Sequence, residues 1–191
     1  MKRILVCVML MLATAFTVNA QQKTAEELQA EREQLAAELK SEKVVNRLQE
    51  LAQLTEQSGS IQKTGLESVD GLAELSGGFL KSVNSTNGLL EQFRNDLINN
   101  EGKVEMSNYV DKLGDYVQLS ANLVKGAKDV KEGGEKIASA KNDLKKLSPL
   151  KVKPATASLN FSTNAIKQSS EEIEMQTRIV NNLVESIKAS K

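Results

Sequence analysis

Apolar residues recur along most of this chain at alternating intervals of three and four, the spacing that places them on one side of an α-helix. A second run keeps strict intervals of seven, at Leu159, Ile166, Ile173, Val180 and Ile187. The clearest run of the first kind occupies Val69, Leu72, Ser76, Phe79, Val83, Thr86, Leu90, Phe93 and Leu97. Alternation of the strand type never persists, so the pattern predicts an all-α protein.

Interruptions of the pattern divide the chain into four predicted helices, at about 25–57, 61–99, 104–147 and 155–189. Thr24 and Glu27 have the spacing of a capping box at the start of the first helix. The apolar stripe of that helix slips in phase near residues 40–43. Residues 99–103 predict a turn, and Pro149 and Pro154 predict a linker at 148–154, because proline interrupts a helix interior.

Short linkers between long helices make sequential neighbours antiparallel. The sequence therefore predicts one domain over residues 21–191, an elongated antiparallel (up-down-up-down) four-helix bundle with coiled-coil-like packing. The alternative is a longer coiled coil in which several copies of the chain share their apolar stripes. Small polar residues on the stripes predict a loosely packed middle of the bundle; they are Ser76, Ser120, Ser162 and Ser169.

Glycine is frequent inside the second predicted helix, at positions 65, 71, 77, 78 and 88. Each interior glycine costs about 1 kcal/mol relative to alanine, so packing should compensate for it. Two interpretations are open: another helix approaches closely along this stripe, or the stripe is a hinge that lets the bundle rearrange. The candidate hinge residues are Gly77, Gly78, Gly133 and Gly134, and a further break is expected near Gln168.

The first twenty residues have the order of a cleavable signal peptide. Lys2 and Arg3 are followed by a mostly apolar run from Ile4 to Phe16, and Val18-Asn19-Ala20 resembles a cleavage site. The apolar run is shorter than the roughly 20 residues that span a bilayer. The expected location is therefore periplasmic or extracellular, with residues 1–20 removed.

Composition excludes several kinds of chemistry. The chain has no histidine, and its one cysteine, Cys7, lies in the predicted leader. The usual zinc, copper and haem ligand sets and the Ser-His-Asp and Cys-His mechanisms therefore cannot be assembled. No catalytic residue, metal ligand or cofactor-binding residue is predicted, and the protein is not expected to be an enzyme.

Charge argues against nucleic acid as a partner. Loss of Lys2 and Arg3 takes the 25 basic residues to 23, against 25 acidic ones, whereas nucleic-acid binding needs a basic surface. The neighbouring carboxylates Glu171, Glu172 and Glu174 are interpreted as a solvated helix face, since adjacent residues on a helix do not face each other.

One basic segment, residues 141–153, stands out because lysines alternate with apolar residues. Such a segment can lay apolar groups on a partner while its ammonium groups meet anions. The opposing interpretation is structural: lysines offset the dipole of a helix C-terminus, and Leu147 and Leu150 close the bundle end. The candidate contact residues are Lys145, Lys146, Leu147, Leu150, Lys151 and Lys153.

The sequence therefore predicts an exported helical bundle that acts through protein–protein contacts in the cell envelope, with a protein partner there and self-association as an open alternative. A second function is a bundle that binds an anionic membrane or cell-wall surface through residues 141–153 and the glycine-rich helix. A third is a small-ligand carrier with a cavity among the serines of the middle.

Overall fold

Five α-helices and no strand make up residues 23–190, the part of the chain that this computed structural model describes. The predicted all-α class is confirmed, while the predicted leader lies outside the described residues. The helices are α1 (Ala25–Leu39), α2 (Glu42–Ser58), α3 (Glu67–Asn99), α4 (Leu113–Leu144) and α5 (Pro149–Ala189), with a 3-10 segment at Met106–Lys112 before α4.

Helix α5 is the centre of the structure. Its 41 residues correspond to a length of about 62 Å at 1.5 Å per residue. It packs against the four other helices; α1 and α2 lie against α3 and α5, and α4 packs on the same two helices. Buried residues therefore lie on several sides of α5, which explains its many small buried side chains, among them Ala155, Ala165 and Ser169.

Side-chain contacts show that α1 and α2 run antiparallel to α5. Asn182 Nδ2 donates to the Leu28 carbonyl at 3.0 Å, and Arg178 pairs with Glu38. Further along, Arg47 of α2 pairs with Glu172. Residue numbers rise on one partner as they fall on the other.

The predicted first helix is two helices. Ser41 begins α2 by accepting a hydrogen bond from the Val44 amide, and its own hydroxyl donates to the Glu38 carbonyl at 2.6 Å. The phase slip at residues 40–43 is thus a break, which lets α1 and α2 each turn its apolar stripe inward. The predicted capping box at Thr24 and Glu27 is confirmed by both of its hydrogen bonds.

The predicted linker at 148–154 was wrong, because α5 begins at Pro149 and contains Pro154. Proline is favoured at the first helical position, where its missing N–H has no helical partner in any case. Pro154 stands in the second turn, so one early carbonyl, that of Leu150, loses its helical hydrogen bond. The expected break near Gln168 was also wrong, since α5 is continuous there.

Helix α3 begins at Glu67 rather than near residue 61, because Asp70 holds the preceding loop in a non-helical shape. Its Oδ1 accepts from the Thr64 amide at 2.8 Å and the Thr64 hydroxyl at 2.7 Å, and its Oδ2 accepts from the Gly65 amide at 2.9 Å. Gly65 has a φ of 76°, in the left-handed region that glycine tolerates best.

These hydrogen bonds predict a pH-dependent contribution of Asp70 to stability. Partial burial raises the pKa of Asp70, but the hydrogen bonds from Thr64 and Gly65 outweigh it, so the pKa lies below its ordinary 3.8. The contribution is complete above that value and is lost as the pH falls through the lowered pKa. We expect Asp70→Asn to lower the free energy of unfolding by about 1 kcal/mol at pH 7.

Urea unfolding at a series of pH values measures this effect. The difference between Asp70→Asn and the wild type should shrink progressively below pH 3.8. Glu67→Gln is the matched control, since it removes the same charge from the same end of α3. An equal loss in both variants would assign the effect to the helix dipole instead of the loop hydrogen bonds.

Candidate functional site

A carboxylate buried between two arginines lies in the interior of the structure. Glu172 of α5 has no exposed surface, and Arg47 of α2 and Arg94 of α3 are 5% and 7% exposed. Glu172 Oε2 accepts from Arg47 Nε at 2.9 Å, and Glu172 Oε1 accepts from Arg94 Nη1 at 2.7 Å. We call Arg47, Glu172 and Arg94 the triad; it joins three helices through one carboxylate.

Two amide side chains extend the triad, Asn87 of α3 and Gln176 of α5. Arg94 Nη1 also donates to Asn87 Oδ1, which accepts in addition from Gln176 Nε2 at 3.0 Å. Gln176 is fully buried and donates to the Val83 carbonyl at 2.9 Å. The result is a polar network inside an apolar core, where each charge depends on its partners for stabilisation.

The triad carries more positive than negative charge. Arg47 Nη2 lies 2.9 Å from Glu172 Oε2 but without hydrogen-bond alignment, and Arg94 Nη2 has no hydrogen-bond partner among the described residues. The nearest further carboxylate is Glu171, whose Oε2 is 3.8 Å from Arg47 Nη1 and is partly exposed. Arg47 therefore has a second anionic neighbour. Arg94 has hydrogen-bonding capacity left.

Two clefts open beside the break between α1 and α2, and each reaches one arginine of the triad. The first, here the α3 cleft, has a volume of about 320 Å³ and is lined by Leu39, Leu48, Asn87, Gly88, Glu91, Arg94, Asn95 and Ile98. The second, the α5 cleft, has about 270 Å³ and is lined by Glu38, Ser41, Lys43, Val44, Arg47, Glu171, Glu174, Met175 and Arg178.

Charges in the α5 cleft are largely paired with one another. Arg178 donates to both oxygens of Glu38, at 2.6 and 3.0 Å. These hydrogen bonds lower the pKa of Glu38 and raise that of Arg178. Lys43 lies 3.7 Å from Glu171. The charged side chains of the α5 cleft therefore have less capacity left to pair with a ligand than Arg94 in the α3 cleft.

The structure places the residues of the predicted contact site in the α4–α5 connection and in the first turns of α5. Lys145, Lys146, Lys151 and Lys153 are exposed there, and Leu147 is half-buried. Leu150 is 92% exposed, so it does not close the end of the structure. Lys146 pairs with Asp143 at 2.7 Å. The segment is thus an exposed basic surface with an apolar residue at its centre.

The candidate hinge glycines lie inside continuous helices. Gly77 and Gly78 are interior to α3, and Gly133 and Gly134 are interior to α4, which has no break there. The prediction of close packing along the α3 glycines was wrong: apart from adjacent residues and the local helix backbone, no described atom lies within 4 Å of a Cβ built on Gly71, Gly77, Gly78 or Gly88.

The close approach between α3 and α4 occurs at a glycine of α4. A Cβ on Gly133 would lie 3.0 Å from Phe79 and 3.4 Å from Leu75 and Ile166. Large side chains of α3 therefore fill the space that Gly133 leaves, which compensates for its low helix propensity.

The serines expected to loosen the middle are mostly buried in the core. Ser76 and Ser162 are fully buried and donate to the Leu72 and Ser158 carbonyls one turn earlier, at 2.7 and 2.9 Å. Neither of the two clefts is lined by them.

Sequence reasoning missed the triad because it placed Glu172 on a solvated face. A periodic signal was present: Glu172 shares a seven-residue interval with Ser158, Ala165, Ile179 and Ser186, all of them small or apolar and all buried. A lone carboxylate in such a series indicates a buried charge, although the identity of its partners cannot be read from the interval.

An aromatic cluster lies at the end of the structure opposite the basic segment. Phe93 and Tyr109 pack edge to face, with ring centroids 5.1 Å apart, and Tyr116 lies 6.4 Å from Tyr109. The Tyr109 hydroxyl donates to Asp96, and burial together with this carboxylate raises the Tyr109 pKa. The five aromatic residues of the described part of the chain are all buried: Phe79, Phe93, Tyr109, Tyr116 and Phe161.

Within residues 23–190 no helix combines the length and the hydrophobicity needed to cross a bilayer. The same residues contain no group of three or more acidic or cysteine side chains placed to hold a metal ion. Comparison of the chain with protein-family models, with curated proteins and with solved structures gives no match.

Proposed function

We propose that this protein is an exported, non-enzymatic helical bundle that binds an acidic protein partner in the cell envelope through its basic segment. One observation carries the proposal. Leu150 is 92% exposed and stands among four exposed lysines where α4 turns into α5. An exposed apolar side chain among several lysines suits a partner with carboxylates around an apolar patch.

The bundle in this proposal is antiparallel and elongated. It has four helical segments, and α1 and α2 together form the first of them. The antiparallel contacts of α1 and α2 with α5 support it. A Cβ built on Gly133 would lie 3.4 Å from Ile166 and one built on Gly126 would lie 3.7 Å from Ile173, which fits an antiparallel arrangement of α4 and α5 as well. Coiled-coil-like packing is part of the same proposal, since α5 retains its strict interval of seven.

Charge at the two ends supports an acidic partner. The end of the structure opposite the basic segment carries exposed carboxylates, including Glu26, Glu27, Glu101 and Glu105. Arg32 Nε donates to the Gly102 carbonyl at 3.2 Å, which brings the first turns of α1 beside this turn. A protein with such separated charge meets an acidic partner with its basic end first.

We expect replacement of Lys145, Lys146, Lys151 and Lys153 by glutamate to abolish partner binding without loss of helicity. These side chains are exposed, so their replacement leaves the core intact. The control places the same four changes at Lys125, Lys128, Lys131 and Lys136, which are exposed on α4. Binding should also weaken as salt rises from 0.05 to about 0.5 M, because screening shortens the reach of surface charges.

The measurement is photo-crosslinking in the native cells, with a crosslinking amino acid at position 150. The control position is Leu89, which is 63% exposed on α3. Capture of an acidic protein at position 150, absent from position 89 and lost in the glutamate variant, supports the proposal.

The same crosslinking separates the alternatives. A phospholipid at position 150, with sedimentation on anionic liposomes, would replace the proposal by the membrane-binding function. A second copy of this chain would indicate self-association between the basic and acidic ends. Equal binding by both lysine variants would show that residues 145–153 are not the contact surface.

A further inference from the structure

We propose that the α3 cleft is a binding site for a small amphipathic carboxylate, an anion with a short apolar tail. This site is separate from the basic segment and does not rest on the function proposed above. Its evidence is the volume, the charge and the apolar lining of one cleft.

The lining of the cleft combines exposed polar residues with a buried cation. Gly88, Glu91 and Asn95 are exposed, whereas Arg94 and Leu39 are buried. Arg94 is 7% exposed. The wall of the cleft therefore contains a largely desolvated guanidinium group.

The guanidinium of Arg94 has a donor left for an anion. Its Nη1 is used by Glu172 and Asn87, and its Nη2 has no hydrogen-bond partner among residues 23–190. The carboxylate of Glu172 is shared with Arg47, so two buried cations depend on one fully buried anion. A second carboxylate in the cleft, next to Arg94, would balance that charge, and guanidinium groups are suited to pairing with carboxylates.

The remaining walls fit a short apolar tail. Leu48 and Ile98 in the lining are half-buried, and Leu39 is buried. The volume of about 320 Å³ lies at the low end of ligand pockets, so the site suits a small molecule. Glu91 at the rim is the one carboxylate in the lining and opposes an anion. It should therefore weaken binding.

Hexanoate is the probe, because it combines a carboxylate with a short alkyl tail. Titration of the full isotope-labelled chain, followed by amide chemical shifts, should show saturable changes in residues 87–98 and around Leu48. Hexylammonium, with the same tail and the opposite charge, should cause no saturable change there. Glu91→Gln should tighten hexanoate binding about two- to five-fold, because it removes a like charge at the rim.

Gly88→Leu blocks the cleft without touching the triad. No described atom lies within 4 Å of a Cβ at Gly88, and leucine favours a helix more than glycine does. We expect it to weaken hexanoate binding about ten-fold or more, since the new side chain occupies the apolar part of the site. Gly78→Leu is the matched control on the same helix, with the same open space and no contribution to the cleft.

The proposal is overturned if hexanoate causes no saturable change, if hexylammonium binds equally well, or if Gly88→Leu and Gly78→Leu behave alike. Binding of hexanoate to the basic segment would change the shifts near Leu150. Replacement of the four lysines of that segment by glutamate would remove these changes. Hexanoate binding that survives in that variant and is lost in Gly88→Leu assigns the ligand to the α3 cleft.

Discussion

Replacement of Glu172 by alanine should lower the free energy of unfolding by about 3–5 kcal/mol, because it leaves two buried arginines without their shared carboxylate. Glu172 has no exposed surface and contacts Arg47 and Arg94 at 2.9 and 2.7 Å. Desolvated charges are costly when unpaired, and the surrounding apolar core offers little else to stabilise them. Urea unfolding at neutral pH measures the loss.

Two control variants separate the triad from ordinary surface charge. Glu174→Ala, two residues away on the same helix and exposed, should change the free energy of unfolding by less than about 0.5 kcal/mol. The combined variant Arg47→Met, Arg94→Met and Glu172→Leu should recover most of the stability lost in Glu172→Ala, since buried ion pairs contribute little over well-packed apolar residues.

If the combined variant is as stable as the wild type, the triad serves specificity or ligand binding instead of stability. In that case the same variant should lose hexanoate binding at the α3 cleft while it remains folded. A loss below about 1 kcal/mol in Glu172→Ala would show that water reaches the triad and that its charges are not desolvated.

Replacement of Gly102 by alanine should lower the free energy of unfolding by about 3 kcal/mol or more, through strain and a backbone clash. Gly102 has a φ of 83°, and a Cβ built on it would lie 2.5 Å from the Glu33 amide nitrogen and 2.7 Å from the Arg32 carbonyl carbon. Backbone atoms of a helix cannot move aside as a flexible side chain can. The turn after α3 would therefore separate from α1.

That separation would break other contacts at the same place. The Gly102 carbonyl accepts from Arg32 Nε at 3.2 Å, and Arg32 Nη1 donates to Ser186 at 2.6 Å. One turn thus joins α1 to the ends of α3 and α5. Thermal or urea unfolding measures the effect, and weakened hydrogen-exchange protection in the first turns of α1 would locate it.

Gly78→Ala is the matched control, with the opposite expected sign. Gly78 is exposed inside α3 with no described atom within 4 Å of its Cβ position, so alanine should raise the free energy of unfolding by about 0.5–1 kcal/mol. If Gly78→Ala raises stability but abolishes partner or membrane binding, the result would support the hinge hypothesis. Similar losses in both glycine variants would contradict the geometric argument.

Local signals predicted much of the helical structure. The capping box of Thr24 and Glu27 and the turn at residues 99–103 depend on neighbours within a few positions, and both are present. In that turn Glu101, with a φ of 51°, takes the left-handed position that glycine usually occupies. Gly102 is required next to it for a different reason, the contact with the backbone of α1. The contact comes from residues about seventy positions away, so no local pattern indicates it.

The exposed basic segment could be recognised in the sequence, whereas the buried triad could not. The alternation of lysine with Leu147 and Leu150 identified an unusual exposed segment. The triad could not be identified in the same way, because Arg47, Arg94 and Glu172 come from three helices. Each of them taken alone resembles an ordinary solvated charge, and their pairing depends on how the helices meet.

The sequence by itself determined that this chain is helical and determined most of the apolar stripe of each helix. Both features depend on residues within two turns of one another. The tertiary structure decided where α1 stops and α2 begins, that Pro154 lies within α5, and that Glu172 is buried. These outcomes depend on α5 being surrounded by its neighbours. Burial by distant segments outweighs the local preferences of a serine, a proline or a glutamate.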